Sequence, residues 1–413
     1  MRFRKSPEAL YFCSFNPVVM AASFNTPLDL RIHSTKVRVR IAVSSFYFFQ
    51  GLCFASWASR IPDIKTALAL SDGAMGSILF ALPAGQMCTM PVSGYLVGKY
   101  GSKNIMHFSL PLYSLAMVLL SLCTEAWQLA AALFLFGVTG NLCNISVNTQ
   151  GVNAERMYRR PIMASFHGSW SLAGFTGALV GLLAGALKLT PTYHFAVIAT
   201  ISFIATYANV KYLVGDTTPK TPAPVKKKFF SKPDPFILQL GIIAFFAMSC
   251  EGAMFDWSGV YFRDIVGAEG AWTSLGYACF MFMMTAGRFI GDKIVARTGK
   301  KRIMQFNGLL IAAGLLIAVL FPYIPTAAFG FLLVGFGVST NVPNVYSMVG
   351  QQQKMSASAA LAAIASISYL GFLLGPPLIG YISELLNLRI SYAFVALFGL
   401  MITFMVTRLK VIK

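Results

Sequence analysis

The sequence predicts an all-α membrane protein with twelve transmembrane helices in two pseudo-symmetric six-helix halves. Hydrophobic residues make up 56% of the 413 positions and charged residues only 11%, against about 25% charged residues in an average globular domain. Long apolar segments recur along the chain at about the twenty residues that a bilayer requires. Similar polar motifs also recur in the two halves of the sequence, which indicates an internal duplication.

The apolar segments define the predicted domains. The first six lie at residues 41–59, 74–96, 104–123, 127–149, 163–186 and 193–213, and the second six at 237–260, 271–290, 303–321, 327–350, 358–381 and 390–408. Residues 1–40 form an N-terminal segment, which a translation start at Met20 would shorten. The N-terminal half is residues 41–213 and the C-terminal half is 237–413. Residues 214–236 between them are rich in Pro and Lys, which predicts a flexible cytoplasmic linker.

The distribution of charge predicts the topology. The net charge of +19 would suit a nucleic-acid partner, but Lys and Arg gather in the loops between apolar segments, as they do where charge sets membrane orientation. Most of them lie on the inside if both termini are cytoplasmic. We therefore expect a monomer in the lipid bilayer of the cell (inner) membrane, with no nucleic-acid partner. The seven cysteines form no CxxC motif, so no metal or other cofactor is expected.

A repeated polar motif marks the fourth and tenth segments. Residues 137–145 (GVTGNLCNI) and 337–345 (GVSTNVPNV) each carry two asparagines three positions apart. This spacing places both side chains on one side of a helix, where hydrocarbon cannot satisfy their amide groups. We expect these asparagines to line a solute pathway, with hydrogen bonding between helices as the alternative. They are Asn141, Asn144, Asn341 and Asn344.

Two carboxylates in the seventh segment are the candidates for proton coupling. Glu251 lies near its middle with no basic residue close in sequence. An ionised, unpaired carboxylate at such a depth is costly, which suits a site that binds and releases a proton. A static hydrogen-bonded carboxyl group is the alternative. Asp256 lies nearer the outer end and is expected to bind substrate or to pair with Arg263 or Arg60.

Further polar and aromatic side chains complete the predicted solute pathway. Gln50 and Gln86 could donate to a hydroxyl-rich solute or to the backbone, and Asn148 is expected to line the solute pathway. Trp257 could stack on a sugar ring, although most membrane tryptophans are interfacial anchors. His167 is expected to be a satisfied interfacial histidine or a proton relay.

The loop after the second helix of each half is also duplicated. Residues 91–106 read PVSGYLVGKYGSKNIM, and residues 287–304 read GRFIGDKIVARTGKKRIM. The alignment pairs Gly101 with Gly299, Lys99 with Arg297, and Lys103 with Lys301. A glycine near a helix end with basic residues around a tight turn predicts a cytoplasmic hinge.

Two six-helix halves, a basic linker and this loop resemble the major facilitator superfamily. In the first copy the loop pattern of that family is matched by Gly94, Lys99, Gly101 and Lys103. In the second copy it is matched by Arg297, Gly299, Lys301 and Arg302. The family's Asp is replaced by Gly98 in one copy and by Ala296 in the other. Arg288 and Asp292, four positions apart, are expected to supply the missing charge pair.

Three shorter stretches resemble one branch of that superfamily. Residues 54–62 (FASWASRIP), 251–258 (EGAMFDWS) and 165–167 (SFH) are similar to the bacterial fucose and hexose permease-like branch and its uncharacterised inner-membrane subgroup. The subgroup often carries Asp where this chain has Asn144. The resemblance implies alternating access, in which two halves rock about a central cavity.

These observations predict a secondary active transporter and not an enzyme. The sequence shows no catalytic triad and no phosphate-binding glycine loop. The leading hypothesis is proton-coupled symport of a small polar solute such as a sugar. An exporter of drugs or metabolites with the same fold is the first alternative, and a non-transporting membrane sensor is the second.

Overall fold

The computed structural model describes residues 27–158, 162–215, 234–348 and 357–409. Some side chains within these ranges, including that of Asp292, lie outside the description. Most of the predicted linker and the first 26 residues also lie outside it. The described part of the chain is helical and contains no strand, which confirms the predicted fold class.

Within the described residues, the first half contains seven α-helices and the second half contains seven. The first are α1 (Pro27–Ala67), α2 (Asp72–Leu79), α3 (Ala81–Tyr100), α4 (Ser102–Leu120), α5 (Ala126–Tyr158), α6 (Met163–Ala186) and α7 (Pro191–Asn209). The second are α8 (Pro235–Asp264), α9 (Leu275–Thr298), α10 (Lys300–Leu320), α11 (Ile324–Ser339), α12 (Asn341–Ser347), α13 (Ala357–Leu385) and α14 (Leu388–Arg408).

Each of the predicted segments coincides with one helix or with a consecutive pair. The pairs are α2 with α3 and α11 with α12, which are separated at Phe80 and at Thr340. Ten stretches in the described ranges are long and apolar enough to cross a membrane. The predicted segments 104–123 and 271–290 correspond to α4 and α9, which are helices of 19 and 24 residues but are not among the ten. Their polar residues, such as Lys103 in α4 and Arg288 in α9, lower their mean hydropathy.

The two halves repeat the same packing. In the first half α1 packs on α6, α3 on α5, and α4 on both α5 and α7. The second half has the corresponding pairs, α8 with α13, α9 with α11, and α10 with both α11 and α14. The halves meet where α2 packs on α13, α6 on α9, and α1 on α8. The duplication seen in the sequence is therefore a duplication of the helix arrangement.

The duplicated loop has the same geometry in both halves. Gly101 and Gly299 have φ angles of 85° and 82°, a backbone conformation that side chains larger than glycine disfavour. Lys103 Nζ donates to the carbonyl oxygen of Lys211 at 3.1 Å, and Lys301 Nζ donates to that of Leu409 at 2.9 Å. Each lysine therefore ties its loop to the end of the last helix of its own half. We refer to the end of the bundle that carries these two loops as the hinge end.

Polar contacts join the two halves at the opposite end, which we call the closed end. Lys65 at the end of α1 forms ion pairs with Asp72 at 2.7 Å and with Asp264, at the end of α8, at 3.3 Å. Arg263 donates to the carbonyl oxygen of Pro62 and to the hydroxyl of Thr66. These contacts connect α1 and α2 to α8, and hence one half to the other.

A second set of contacts at the closed end connects α2 to α13. Glu384 Oε2 accepts a hydrogen bond from the Gly73 amide at 2.9 Å, and the hydroxyls of Ser77 and Tyr381 lie 2.7 Å apart. Gly76 and Gly380 allow this approach, because a Cβ atom on Gly380 would lie 2.9 Å from the Cα atom of Gly76. The backbones of the two halves are therefore in direct contact at this end.

Candidate functional site

An ion pair within the second half also contacts the first half. Arg288 on α9 lies 3.4 Å from Glu251 on α8, and its other terminal nitrogen donates to the hydroxyl of Ser171 on α6 at 2.8 Å. Thr285, one turn before Arg288, donates to the carbonyl oxygen of Ser171 at 3.0 Å. The ion pair and the contact between the halves therefore share one guanidinium group.

This ion pair changes the interpretation of Glu251 and Arg288. Glu251 lacks a basic neighbour in sequence, yet Arg288 on α9, the next α-helix, is its partner. Arg288 was expected to pair with Asp292, whose side chain lies outside the described residues. The observed partners of Arg288 are Glu251 and Ser171, so its position is inside the bundle and not in the loop.

Four aromatic side chains from four different helices lie close to one another. Phe54, Trp170, Phe255 and Phe372, which we call the aromatic cluster, come from α1, α6, α8 and α13. The ring of Phe54 lies 6.1 Å from that of Trp170 and 5.3 Å from that of Phe255, and Phe255 lies 6.3 Å from Phe372. Both halves contribute to the cluster, which therefore forms an apolar wall at their interface.

The tryptophans differ in their access to a solute. Trp57 and Trp257 have no exposed surface, and the indole nitrogen of each is buried without a hydrogen-bond partner in the described residues. Trp257 therefore cannot contact a solute in this conformation and is not an interfacial anchor. Trp170 is only half-buried, so it is the tryptophan of the aromatic cluster that a solute could reach.

Polar side chains of the first half form a connected strip. The Tyr47 hydroxyl donates to Asn148 Oδ1 at 2.9 Å, and Asn148 Nδ2 donates to Asn144 Oδ1 at 2.8 Å. The ring of Tyr47 packs edge-on against His167 at 5.3 Å. Asn144 and His167 are exposed, so this polar strip offers donors and acceptors for a hydroxyl-rich molecule.

The four repeated asparagines divide into different environments. Asn341 is fully buried, donates to the Gly337 carbonyl at 2.9 Å and accepts from Asn307 at 3.0 Å. It therefore joins α12 to α11 and α10, as the interhelical alternative predicted. Asn141 and Asn344 are also buried, and one amide atom of each has no partner in the described residues. Only Asn144 is exposed, so the equal spacing in sequence does not give equal surroundings.

Asp256 does not form the ion pairs that the sequence suggested. Arg60 pairs with Asp63 at 2.6 Å, and Arg263 pairs with Asp264 at 2.6 Å. Asp256 is buried and forms no ion pair among the described residues. Its pairing with Arg60 or Arg263 is therefore contradicted, while a role in substrate binding stays a prediction.

The two glutamines also differ. The Oε1 atom of Gln50 is buried with no partner in the described part of the chain. Gln86 on α3 accepts a hydrogen bond from the Tyr369 hydroxyl on α13, so it forms another contact between the halves. Neither Tyr369 nor Ser171 could be selected from the sequence, because no motif or spacing sets them apart from other residues of their type. In the described residues, no group of three or more His, Cys, Asp or Glu side chains is arranged to hold a metal ion.

Comparison with known proteins agrees with this architecture. The family model described as Major Facilitator Superfamily matches residues 43–359. An uncharacterised transporter of the major facilitator type from Yersinia pestis is 33% identical over 367 residues, which are 88% of this chain and 93% of that protein. The membrane protein MosC of Rhizobium meliloti is 28% identical over 363 residues, covering 87% of this chain and 88% of that protein.

Solved structures share the fold at low identity. A bacterial homologue of the human lysosomal transporter Spinster, in an inward-facing and occupied conformation, has a TM-score of 0.69 at 14% identity, covering 89% of this chain and 95% of that one. A variant of the nucleoside transporter NupG has a TM-score of 0.69 at 13% identity, covering 90% of this chain and 99% of that one. These similarities concern the fold alone. Together with the family match, they show that the chain is a multi-pass membrane protein and belongs to the major facilitator superfamily of transporters, whose members are generally not enzymes.

Proposed function

We propose that the protein is a proton-coupled symporter of a small polar solute that works by alternating access, with Glu251 as the proton-binding group. The observation that supports this most strongly is the placement of Arg288 between Glu251 at 3.4 Å and Ser171 at 2.8 Å. A carboxylate that gains or loses a proton there changes the charge beside a contact between the halves. Proton binding and the movement of the halves would then be coupled through one side chain.

The coupling step follows from the ion pair. When Glu251 is ionised it attracts Arg288, and when it takes up a proton this attraction is lost. The guanidinium is then free to rearrange, and with it the hydrogen bond to Ser171. A change that stabilises one arrangement of the halves more than the other shifts the populations of the two arrangements. The size of the shift is set by the difference between the two stabilisation free energies. The proton taken up from one side would be released on the other side after the halves have moved.

The polar strip and the aromatic cluster support a ring-bearing, hydroxyl-rich solute. The Asn144 amide and the His167 ring can exchange hydrogen bonds with hydroxyl groups, and Trp170 can stack on the apolar face of a sugar ring. The resemblance of residues 54–62 to the fucose and hexose permease-like branch agrees with this class. We place the solute between these two groups of residues.

The contacts at the closed end support a conformation that is open toward the hinge end. Lys65, Asp264 and Glu384 hold the halves together at the closed end. The basic residues of the loops at the hinge end support a cytoplasmic position of that end, by the usual distribution of charge. The structure would therefore represent the inward-open state of an inner-membrane transporter.

Export of an amphipathic compound is the second candidate function. The aromatic cluster is the observation that favours it, because a wall of four aromatic side chains suits a largely apolar molecule. Proton antiport would then replace symport. The two candidates differ in the direction in which protons move when solute is added outside.

The external pH of lightly buffered, energy-starved cells that contain the protein distinguishes these functions. Sugars, polyols and amphipathic compounds are added one at a time, and cells without the protein serve as the control. We expect alkalinisation of the medium with at least one polar solute. Acidification with an amphipathic compound would support antiport instead. If no solute changes the external pH although the protein is verified in the membrane, symport is contradicted.

A further inference from the structure

Arg288 is a fixed positive charge inside the bundle. Arg60, Lys65 and Arg263 lie at the closed end, where they pair with carboxylates or bind backbone carbonyls. Arg288 instead lies among side chains of the membrane-crossing helices, next to Glu251 and Ser171. An arginine side chain keeps its charge at any physiological pH, so an anionic partner stabilises it at this position.

The guanidinium of Arg288 has more N–H donors than its described contacts use. It carries five N–H groups, and the described contacts use one terminal nitrogen on Ser171 and the other on Glu251. The distance to Glu251 is 3.4 Å, against about 2.8 Å for a tight charge-assisted hydrogen bond. The side chain of Arg288 is 27% exposed, whereas that of Glu251 is 10% exposed. Arg288 is therefore held loosely and can be reached by a second anion.

Loss of the negative charge on Glu251 leaves this cation without an ion-pair partner among the described side chains. A buried charge without a partner is strongly unfavourable. Among the described side chains, His167 interacts with Arg288 electrostatically but is neutral or positive, so it does not replace Glu251. Asp256 lies on α8 beyond Glu251 and forms no ion pair with Arg288 in the described residues. The side chain of Asp292, one turn after Arg288, lies outside the described residues. Among the described side chains none replaces the lost negative charge, and an anion brought by the solute would supply it.

We infer that the transported solute carries a carboxylate, which Arg288 binds when Glu251 takes up its proton, while the ring or chain of the solute lies against the aromatic cluster. This inference rests on the proposed function and specifies its substrate class. A carboxylate accepts two parallel hydrogen bonds from a guanidinium and also neutralises its charge. A neutral sugar cannot neutralise that charge. The polar strip then binds the hydroxyl groups of the same molecule, as in a sugar acid.

Charge balance gives this inference a distinct electrical signature. The empty site holds the Glu251 carboxylate and the Arg288 cation. The loaded site holds neutral Glu251, the Arg288 cation and the solute carboxylate, so the net charge of the site is unchanged. Uptake of one proton with one monoanion therefore moves no net charge across the membrane. Proton symport of a neutral sugar would move one positive charge.

Binding to the purified full-length protein tests the solute class with matched pairs. The probes are D-glucuronate and D-glucose, D-galacturonate and D-galactose, and D-gluconate and D-sorbitol, and the readout is the rise in melting temperature at mildly acidic pH. We expect at least one acid to stabilise the protein more than its neutral partner. We expect its apparent affinity to fall at least about tenfold in Arg288→Gln, because a hydrogen bond to a charged group is lost. The affinity is expected to rise in Glu251→Gln.

Two further variants keep this experiment interpretable. Arg389→Gln removes an arginine that binds the Val319 carbonyl oxygen at the end of α10, and it should keep the affinity of the wild type. Glu251→Gln combined with Arg288→Gln leaves no unpaired carboxylate, so it replaces Arg288→Gln if that variant does not fold. Stabilisation by neutral partners alone, by no acid at all, or by acids equally well without Arg288 would overturn the inference.

Transport in proteoliposomes separates this inference from the proposed function. Alkalinisation with a neutral sugar, accompanied by an inward current, would leave symport intact and refute the carboxylate. Binding of an acid without any proton uptake would refute symport and leave the role of Arg288 intact. We expect alkalinisation with the acid and no current.

Discussion

Arg288 and Glu251 are 37 positions apart in the chain, and their side chains meet at 3.4 Å inside the helical bundle. The same guanidinium reaches Ser171 of the other half at 2.8 Å. One charged group thus contacts both the candidate proton site and the interface that must rearrange during transport. The predictions below test the closed end, the hinge end and this pair.

Lys65→Met should loosen the closed end. Lys65 pairs with both Asp72 and Asp264, so its loss leaves Asp72 without this cation and Asp264 with Arg263 alone. We expect this to cost about 1–3 kcal/mol in the stability of the closed end. Hydrogen exchange of the backbone amides in residues 66–72 and 262–268 should become faster.

Lys188→Met is the matched control for this experiment. Lys188 is an exposed residue of the loop between α6 and α7, at the same end, and it takes part in none of the ion pairs described above. Equal exchange rates in Lys65→Met and Lys188→Met would show that the ion pairs of Lys65 do not hold the halves together.

Gly380→Val should prevent close approach of α2 and α13. A Cβ atom at Gly380 would lie 2.5 Å from the Asp72 carbonyl oxygen and 2.9 Å from the Gly76 Cα atom. We expect the halves to separate at the closed end and transport to fall severalfold or more. Cross-linking between cysteines introduced by Ser77→Cys and Tyr381→Cys should slow in the same variant.

Gly94→Val serves as the control for Gly380→Val, because a Cβ atom at Gly94 meets nothing within 4 Å. It should leave cross-linking at the closed end unchanged. A normal cross-linking rate in Gly380→Val would contradict the closed geometry of α2 and α13.

Gly101→Ala should destabilise the first half, whereas Gly98→Ala should not. A methyl group at Gly98 would meet nothing within 4 Å, and of the two positions only Gly101 has a positive φ angle, of 85°. A side chain in that conformation costs about 1–3 kcal/mol. Thermal unfolding of the purified variants measures the difference, and equal melting temperatures would mean that the turn at Gly101 is not required.

The sequence was sufficient for the parts of the fold that depend on local pattern. Apolar length predicted the membrane-crossing helices, and the alignment of Gly101 with Gly299 identified two turns that share one backbone conformation. It also paired Lys103 with Lys301, whose hydrogen bonds are equivalent in the two halves. Residues that recur in both halves can be recognised in a single sequence, because the two halves can be aligned with each other.

Partners from different helices could not be predicted in this way. Spacing within a segment placed Asn341 and Asn344 on one side of a helix, but only the packing of α10 shows that Asn307 binds Asn341. The partner of Glu251 also lies on another helix, so it could not be predicted from the sequence either. Ion pairs and hydrogen bonds across a bundle depend on helix rotation and register, which a single sequence does not specify.

The most direct test of proton coupling through Glu251 compares two carboxylates of α8. Solute-driven proton uptake and solute counterflow are measured in proteoliposomes that contain the wild type, Glu251→Gln or Asp256→Asn. Only Glu251 is paired with Arg288, so we predict that Glu251→Gln abolishes proton uptake and retains counterflow, while Asp256→Asn still takes up protons. Proton uptake that persists in Glu251→Gln, or that is lost only in Asp256→Asn, would contradict coupling through the Glu251–Arg288 pair.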